Sequence, residues 1–145
     1  MKLSKLFLIC SIAALAVACS DDEMFFEEDV TEVFENGGVI KEAEFVSDAH
    51  PTSGLAQVVM AEDSRTLVFS DFRSDSGPDL DVYLATDTDA TEFINLGGLK
   101  GTSGQFSYEV PLDIDLEKYD KVLIWCVRFS INFGFADLER VEAGS

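Results

Sequence analysis

The sequence predicts an all-β protein, an antiparallel β-sandwich of about eight strands. From Gly38 onward, short β-rich segments are separated by Gly, Asp, Asn, Ser and Pro at intervals of about ten residues. Phe106, Tyr108 and Val110 alternate with polar neighbours, as in a half-buried strand. Turn-forming sequences such as Ser76-Gly77-Pro78-Asp79 fall between these segments. The predicted strands cover residues 39–46, 54–62, 66–72, 80–85, 92–96, 105–110, 122–129 and 133–139.

Residues 1–18 have the pattern of a secretory signal peptide. Lys2 and Lys5 precede an uncharged apolar run, which is followed by small residues and Cys19. The sequence LAVACSDDE resembles a bacterial lipoprotein signal, in which the cysteine becomes the lipidated first residue, and the acidic residues after it resemble the Bacteroidetes surface-export tag. We therefore expect an outer-membrane lipoprotein, lipid-anchored through a palmitate-bearing Cys19 and facing the cell exterior. The alternative is an ordinary signal cleaved near Ala18.

The sequence predicts that residues 19–37 form a lipidated acidic tether. Between Ser20 and Gly38 there are eight acidic residues and no Lys or Arg, a composition typical of a solvated segment. Phe26, Val30, Val33 and Phe34 nevertheless fall at helical spacing, and Asn36 with the glycines after it would end a helix. The sequence predicts a short helix here, and one domain over residues 38–145.

The charge of the chain excludes one class of partner. Lys2 and Lys5 lie in the signal segment, which leaves eight basic against 28 acidic side chains. Such a surface repels phosphate backbones, so nucleic acid is not an expected partner. The chain also has no nucleophile elbow, zinc-protease, Cys-x-x-Cys or phosphate-loop motif, and we expect no turnover enzyme. The oligomeric state is left open.

The stretch 119–136 is the densest apolar run after the N-terminus and contains Trp125 and Cys126. Its strand is apolar on both faces and should lie mid-sheet. Counting by twos along 122–135 groups Cys126 with Arg128, Ser130 and Asn132, so the cysteine is expected on the less apolar face unless a bulge intervenes. With Cys10 in the signal and Cys19 lipidated, Cys126 has no intramolecular partner.

Cys126 is the candidate redox residue, and Arg128 on the predicted same face is the candidate stabiliser of its thiolate. The alternative is a small buried core residue. His50, the one histidine, is a weak candidate to join Cys126 in a haem or soft-metal site, since imidazole and thiolate are ligands of that class. A loop histidine bonded to the backbone is the alternative.

Four aspartates cluster around the Gly77-Pro78 turn: Asp71, Asp75, Asp79 and Asp81. Carboxylate oxygens suit calcium, although the spacing is not that of an EF-hand loop. Aspartate is also an ordinary turn residue, so the cluster is a weak calcium candidate.

Three segments together resemble the DM thirteen (electron-transfer DM) domain family: SDFRSDSGPDLDVYLA at 70–85, LGGLKGTSGQFSYEVP at 96–111 and VLIWCVRFSINFGFADL at 122–138. HPTSGLAQVV at 50–59 is similar to the family's opening. The resemblance implies an extracellular or membrane-tethered β domain, a kind found joined to haem-binding DOMON or b-type cytochrome domains. It also implies a redox role for the cysteine of the Trp-Cys pair, here Cys126.

Two functions follow as hypotheses. The first is a redox or electron-transfer module acting through Cys126, with a redox protein as partner. The alternative is a non-catalytic extracellular binding or adhesion module that holds a protein, a glycan or calcium.

Overall fold

The computed structural model describes residues 24–142, and nearly all of its regular structure is β. Its elements, in chain order, are β1 (Phe25–Glu27), α1 (Thr31–Asn36), β2 (Gly38–Ser47), β3 (Thr52–Met60), β4 (Arg65–Ser74), β5 (Leu80–Ala85), β6 (Phe93–Gly98), β7 (Ser103–Glu109), β8 (Lys121–Cys126), β9 (Ile131–Asp137) and β10 (Glu139–Arg140).

The strands form one continuous sheet in the order β1-β7-β4-β3-β2-β9-β8-β5-β6, and β10 pairs with β2. Every pairing is antiparallel except β1 with β7. The sheet curls so that its two halves face each other across one core. The halves also meet near β6 and β7, where the Tyr108 hydroxyl donates to the Gly98 carbonyl at 3.1 Å.

The core lies between the two halves. On one side, β4 and β7 supply Phe69, Phe72 and Phe106, whose rings contact one another with centroids 5.1 to 5.5 Å apart. On the other side, β5 and β8 supply Val82 and Ile124, which are fully buried. Burying one such side chain contributes about 1.5 to 3 kcal/mol, so this cluster is a principal source of stability.

The predicted all-β class is confirmed, and each of the eight predicted strands corresponds to one of β2 to β9. The predicted sandwich takes the form of a single curled sheet, because β2 pairs with β3 on one edge and with β9 on the other. Strands β1 and β10 were not predicted. They have only three and two residues, too few for a period-2 pattern.

The predicted short helix is present as α1. Val30 is buried against Val59 and Val68, and Val33 and Phe34 pack on the same cluster. The Asp29 carboxylate accepts a hydrogen bond from the Thr31 amide at the start of the helix. The placement of Phe26 on this helix was wrong, since it lies in β1 instead.

Strand β1 attaches the acidic segment that precedes α1 to the sheet. Gly104, at φ +122°, makes room for it, because a Cβ there would lie 2.0 Å from the Phe26 carbonyl oxygen. After β1, the Glu28 amide donates to the Gln105 carbonyl at 2.7 Å. The Glu28 carboxylate accepts from Lys100 Nζ at 2.8 Å and from Ser107 Oγ at 3.0 Å.

These contacts affect the ionisation of Glu28. Its partial burial opposes the charged form, but the hydrogen bonds from Lys100 and Ser107 outweigh that effect and lower the pKa of the carboxyl group. The predicted signal peptide and Cys19 lie outside the described residues. Within residues 24–142 there is no helix with the length and apolar character that crossing a membrane requires.

The Glu28 contacts lead to a testable prediction for β1. Because the pKa of Glu28 is lowered by folding, its stabilising contribution is present above the ordinary value of 4.5 and is lost as the pH falls through the folded-state value. We expect Glu28→Gln to reduce the protection of the Glu28 backbone amide against hydrogen exchange at neutral pH, and to remove the loss of protection on acidification. Glu27→Gln, an equal charge change on an exposed neighbour, is the control. Equal protection in the two variants would contradict the role of Glu28.

Candidate redox site at the end of strand β8

Cys126 is the last residue of β8, a strand that lies between β9 and β5, so the predicted mid-sheet position is confirmed. Val122, Ile124 and Cys126 are fully buried in the main core. The prediction that Cys126 faces the less apolar side was wrong. Residues 127–130 form a turn, so the chain reverses directly after Cys126 and the later residues do not continue its face.

A second irregularity lies on the returning strand. Ile124 pairs with Gly134, but Trp125 pairs with Asn132, so Phe133 is an extra residue on β9. Both Asn132 and Phe133 are consequently buried, although they are neighbours in sequence. A bulge of this kind reverses the inward and outward pattern, which is why counting by twos failed across the hairpin.

The thiol of Cys126 is covered by a turn between β4 and β5, which we call the Pro78 turn and define as residues 76–79. The Sγ atom donates to the Pro78 carbonyl at 3.2 Å, and the Asp79 carbonyl accepts from the Val127 amide at 2.9 Å. The bond to Pro78 requires a protonated thiol. In this arrangement Cys126 is a sheltered thiol rather than an exposed thiolate.

The Pro78 turn is closely seated on its surroundings. A Cβ on Gly77 would lie 2.8 Å from Phe133 Cζ, so a larger residue at this position would force the Phe133 ring to shift. On its other side, Ser76 and Gly77 share a small cavity of about 140 Å³ with Met24, the first described residue. The start of the described chain therefore lies beside the turn that covers the thiol.

Arg128, the predicted thiolate stabiliser, lies in the turn after β8. Its side chain is 62% exposed, and its Nε atom is 4.0 Å from an Asp79 carboxylate oxygen that is itself exposed. The contact it makes is thus a surface ion pair, of a kind that contributes little to stability. In this arrangement its charge is directed at Asp79 rather than at the buried thiol.

His50 lies at the same end of the sheet as Cys126 but is engaged by other groups. Its Nδ1 atom is 3.0 Å from an Asp75 carboxylate oxygen, and its ring lies on Phe133 with centroids 3.9 Å apart. The sulfur of Cys126 is buried and bonded to the Pro78 carbonyl. The two residues do not fit a shared haem or soft-metal site, because the imidazole packs on a core ring at an interplanar angle of 31° and the thiol is turned to the backbone.

The structure does not bring the four candidate calcium aspartates together. Asp75 contacts His50, Asp79 faces Arg128, and Asp81 accepts from the Asn95 side-chain amide at 2.8 Å. Asp71 lies in β4 with φ 49°, beside a shift in strand register. Among residues 24–142, no three His, Cys, Asp or Glu side chains are grouped so that they could hold a metal ion.

Sequence reasoning missed a stack of aromatic rings on the outer face of the sheet. Phe93 on β6 lies parallel to Tyr83 on β5 at 4.1 Å, and Tyr83 stacks with Trp125 on β8 at 5.9 Å. Burial, followed by the nearby Asp81 charge, raises the pKa of Tyr83. Phe93 is 45% exposed at the end of this stack. The three rings meet only because β6, β5 and β8 are neighbours in the sheet. The one indication in the sequence was that each ring lies on the outward-facing side of its own strand.

The fold and the site define a small β module with one buried thiol at the end of a central strand. A sequence model of the family described as Electron transfer DM13 matches residues 44–138. The chain belongs to this family, and the matched region runs from β2 to the end of β9 and includes Cys126. Neither the curated proteins nor the solved structures gave a match to the chain.

Proposed function

We propose that the chain is an electron-transfer module in which Cys126 is the redox-active residue. Membership of the Electron transfer DM13 family supports the general class. The observation that carries the specific role is the position of the thiol. Cys126 is the one cysteine of residues 24–142, and it lies at a strand end, where the Pro78 turn covers it.

The absence of a second cysteine from the described part of the chain limits the chemistry. A disulfide formed by this lone thiol takes its other sulfur from another molecule. In the proposed step, the Cys126 thiolate attacks a partner disulfide, a Cys126–partner sulfur bond forms, and the partner's other sulfur leaves as a thiol after taking up the proton. One disulfide bond breaks as another forms, so the partner's leaving sulfur is reduced and the Cys126 sulfur is oxidised by the same amount. A second thiol is needed to release the partner in its fully reduced form.

The step needs the Pro78 turn to open, because the thiol is otherwise buried and protonated. Two features make this turn the element that moves. It is a loop between strands, and Asp79 within it has φ 55°, a conformation less favourable for aspartate than for glycine. Local opening of loops requires less free energy than opening of core strands.

The opening of the turn can be tested by replacing a proline with glycine. Replacing Pro78 by Gly frees the backbone of the open state and favours opening by about 1 kcal/mol, or about fivefold. We expect the folded protein to form a mixed disulfide at Cys126 with oxidised glutathione, and Pro78→Gly to accelerate the reaction about fivefold. Peptide mass spectrometry identifies the modified cysteine.

The matched control is Pro111→Gly, the same change at the loop that follows β7. Pro111→Gly should change the global stability by a similar amount and leave the rate of mixed-disulfide formation at Cys126 near that of the wild type. If both variants react only as fast as they unfold globally, Cys126 is a core residue and the redox role is withdrawn.

The proposal includes a position at the outer membrane, with the protein anchored through lipid on Cys19 and facing the exterior. The support is the sequence around Cys19, with its apolar run before the cysteine and acidic residues after it. We expect the mature protein to incorporate a labelled fatty acid and to sediment with outer membranes, and Cys19→Ser to lose both properties. A soluble wild-type protein without the label would contradict the anchor. Access of an external protease to intact cells tests the orientation.

A second function, a non-catalytic binding module, is favoured by the outer aromatic stack. Phe93 is exposed at the end of the stack and is backed by the buried ring of Tyr83, which in turn stacks with Trp125, and an exposed ring of this kind suits planar or sugar-like ligand faces. The chain's one tryptophan, Trp125, would report binding by its fluorescence.

The binding function predicts a saturable change of Trp125 fluorescence with neutral oligosaccharides, measured with and without calcium. Phe93→Ala should abolish it by removing the open end of the stack. Phe129→Ala is the control, because Phe129 is 60% exposed in the β8–β9 turn. A panel of oligosaccharides that leaves the fluorescence unchanged, or an equal loss in both variants, would count against this function.

A further inference from the structure

A cleft of about 690 Å³ lies at the start of β2, and neither Cys126 nor any residue of the Pro78 turn lines it. Its walls come from the first residues of β2, the loop between β7 and β8, and the chain around β10. Its apolar lining consists of the exposed side chains of Ile40 and Val141 together with the largely buried Ile114 and Leu116. The volume falls in the range of about 300 to 1,000 Å³ that is usual for small-molecule sites.

Basic side chains are concentrated at this cleft in an otherwise acidic protein. Lys41, Arg65 and Arg140 line it, and they are three of the eight Lys and Arg residues in positions 24–142. Asp115, Glu117 and Glu142 also line it, so the charges here balance locally, whereas the whole chain carries −18. The cleft is therefore much less repulsive to an anion than the rest of the surface.

Lys41 is the unusual member of this group. Its side chain is only 7% exposed, and the carboxylate in contact with its ammonium group is Glu117, 3.4 Å away. It has the same parity on β2 as Phe45, a core residue, so the strand turns it inward. A buried ammonium group with a single ion-pair partner is poorly compensated for the loss of water.

Arg65, the first residue of β4, adds further donors to the lining of the cleft. Its Nη2 atom donates to the carbonyls of Pro111 and Ile114, the second at 2.8 Å. Its Nε atom is buried and has no hydrogen-bond partner. Two cationic side chains at the cleft thus retain hydrogen-bonding capacity that the chain does not use.

Glu117 shows how a carboxylate is held here. One of its oxygens lies 2.8 Å from Nε and 2.7 Å from Nη2 of Arg140, and 3.4 Å from Nζ of Lys41. The hydrogen bond from Arg140 lowers the pKa of this carboxyl group, although burial opposes the effect. The Glu117 side chain is 57% exposed, so it can move aside when another anion enters.

We propose that this cleft binds a small amphipathic carboxylate, a free medium-chain fatty acid or a similar aliphatic acid. Its carboxylate takes the place beside Lys41 and Arg140 that Glu117 now occupies. Its aliphatic body lies along Ile114, Leu116 and Val141. The proposal does not depend on the redox chemistry, since neither Cys126 nor any residue of the Pro78 turn lines the cleft.

The test is titration calorimetry with sodium decanoate below its micelle concentration, on the full exported chain carrying Cys19→Ser so that no acyl anchor competes. We expect saturable binding of decanoate, and much weaker binding of decanol, which has the same tail without the charge, and of acetate, which lacks the tail. Binding of decanol as tight as that of decanoate would overturn the proposal, as would no saturable binding.

Three variants distinguish a binding role from a structural one. Lys41→Met should weaken decanoate binding about tenfold or more, the usual effect of losing a charge-assisted contact. Lys121→Met, an equal charge change at a lysine bonded to Asp120 and Asp137, should leave it unchanged. Glu117→Gln should tighten binding by removing the internal competitor. Unchanged affinity in Lys41→Met, or weaker binding in Glu117→Gln, would overturn the proposal even if the first variant is less stable.

Discussion

The whole fold depends on the double pairing of strand β2. One edge pairs with β3 from Gly38 to Glu44, and the other pairs with β10 and then with β9 through Phe45, Val46 and Ser47. Backbone pairing along both of its edges makes β2 the strand that joins the two halves of the sheet, so it holds their inner faces at the distance that the core side chains fill. An unpaired edge at β2 would expose backbone polar groups next to the core, which is costly.

Local patterns in the sequence predicted the strands β2 to β9 because each has enough residues to show alternation and is bounded by turn residues. The same rules found α1 from the spacing of Val30, Val33 and Phe34. Strand β1 could not be found in this way. Its parallel pairing with β7 joins residues far apart in the chain, and it depends on the space above Gly104, which no local pattern reveals.

The candidate site shows a different limit of prediction from the sequence. The sequence identified Cys126 and its central strand, but counting by twos assumed one straight strand through Phe129. The turn after Cys126 and the extra residue Phe133 on β9 reverse that count. The cleft at Lys41 was also missed, since a single lysine among glutamates resembles an exposed position. Its parity with Phe45 was the one available indication, and the loop that closes the cleft is contributed by residues around Ile114.

The cavity that Met24 shares with Ser76 and Gly77 has a geometric consequence for a tethered molecule. Five peptide links join Cys19 to Met24, and an extended chain covers at most about 3.5 Å per residue, so the two lie within about 18 Å of each other. With lipid on Cys19, the end of the domain that holds the thiol would stand close to the headgroups. A disulfide carried by a neighbouring membrane protein would then reach Cys126 by lateral diffusion, whereas a bulky soluble partner would be hindered by the bilayer.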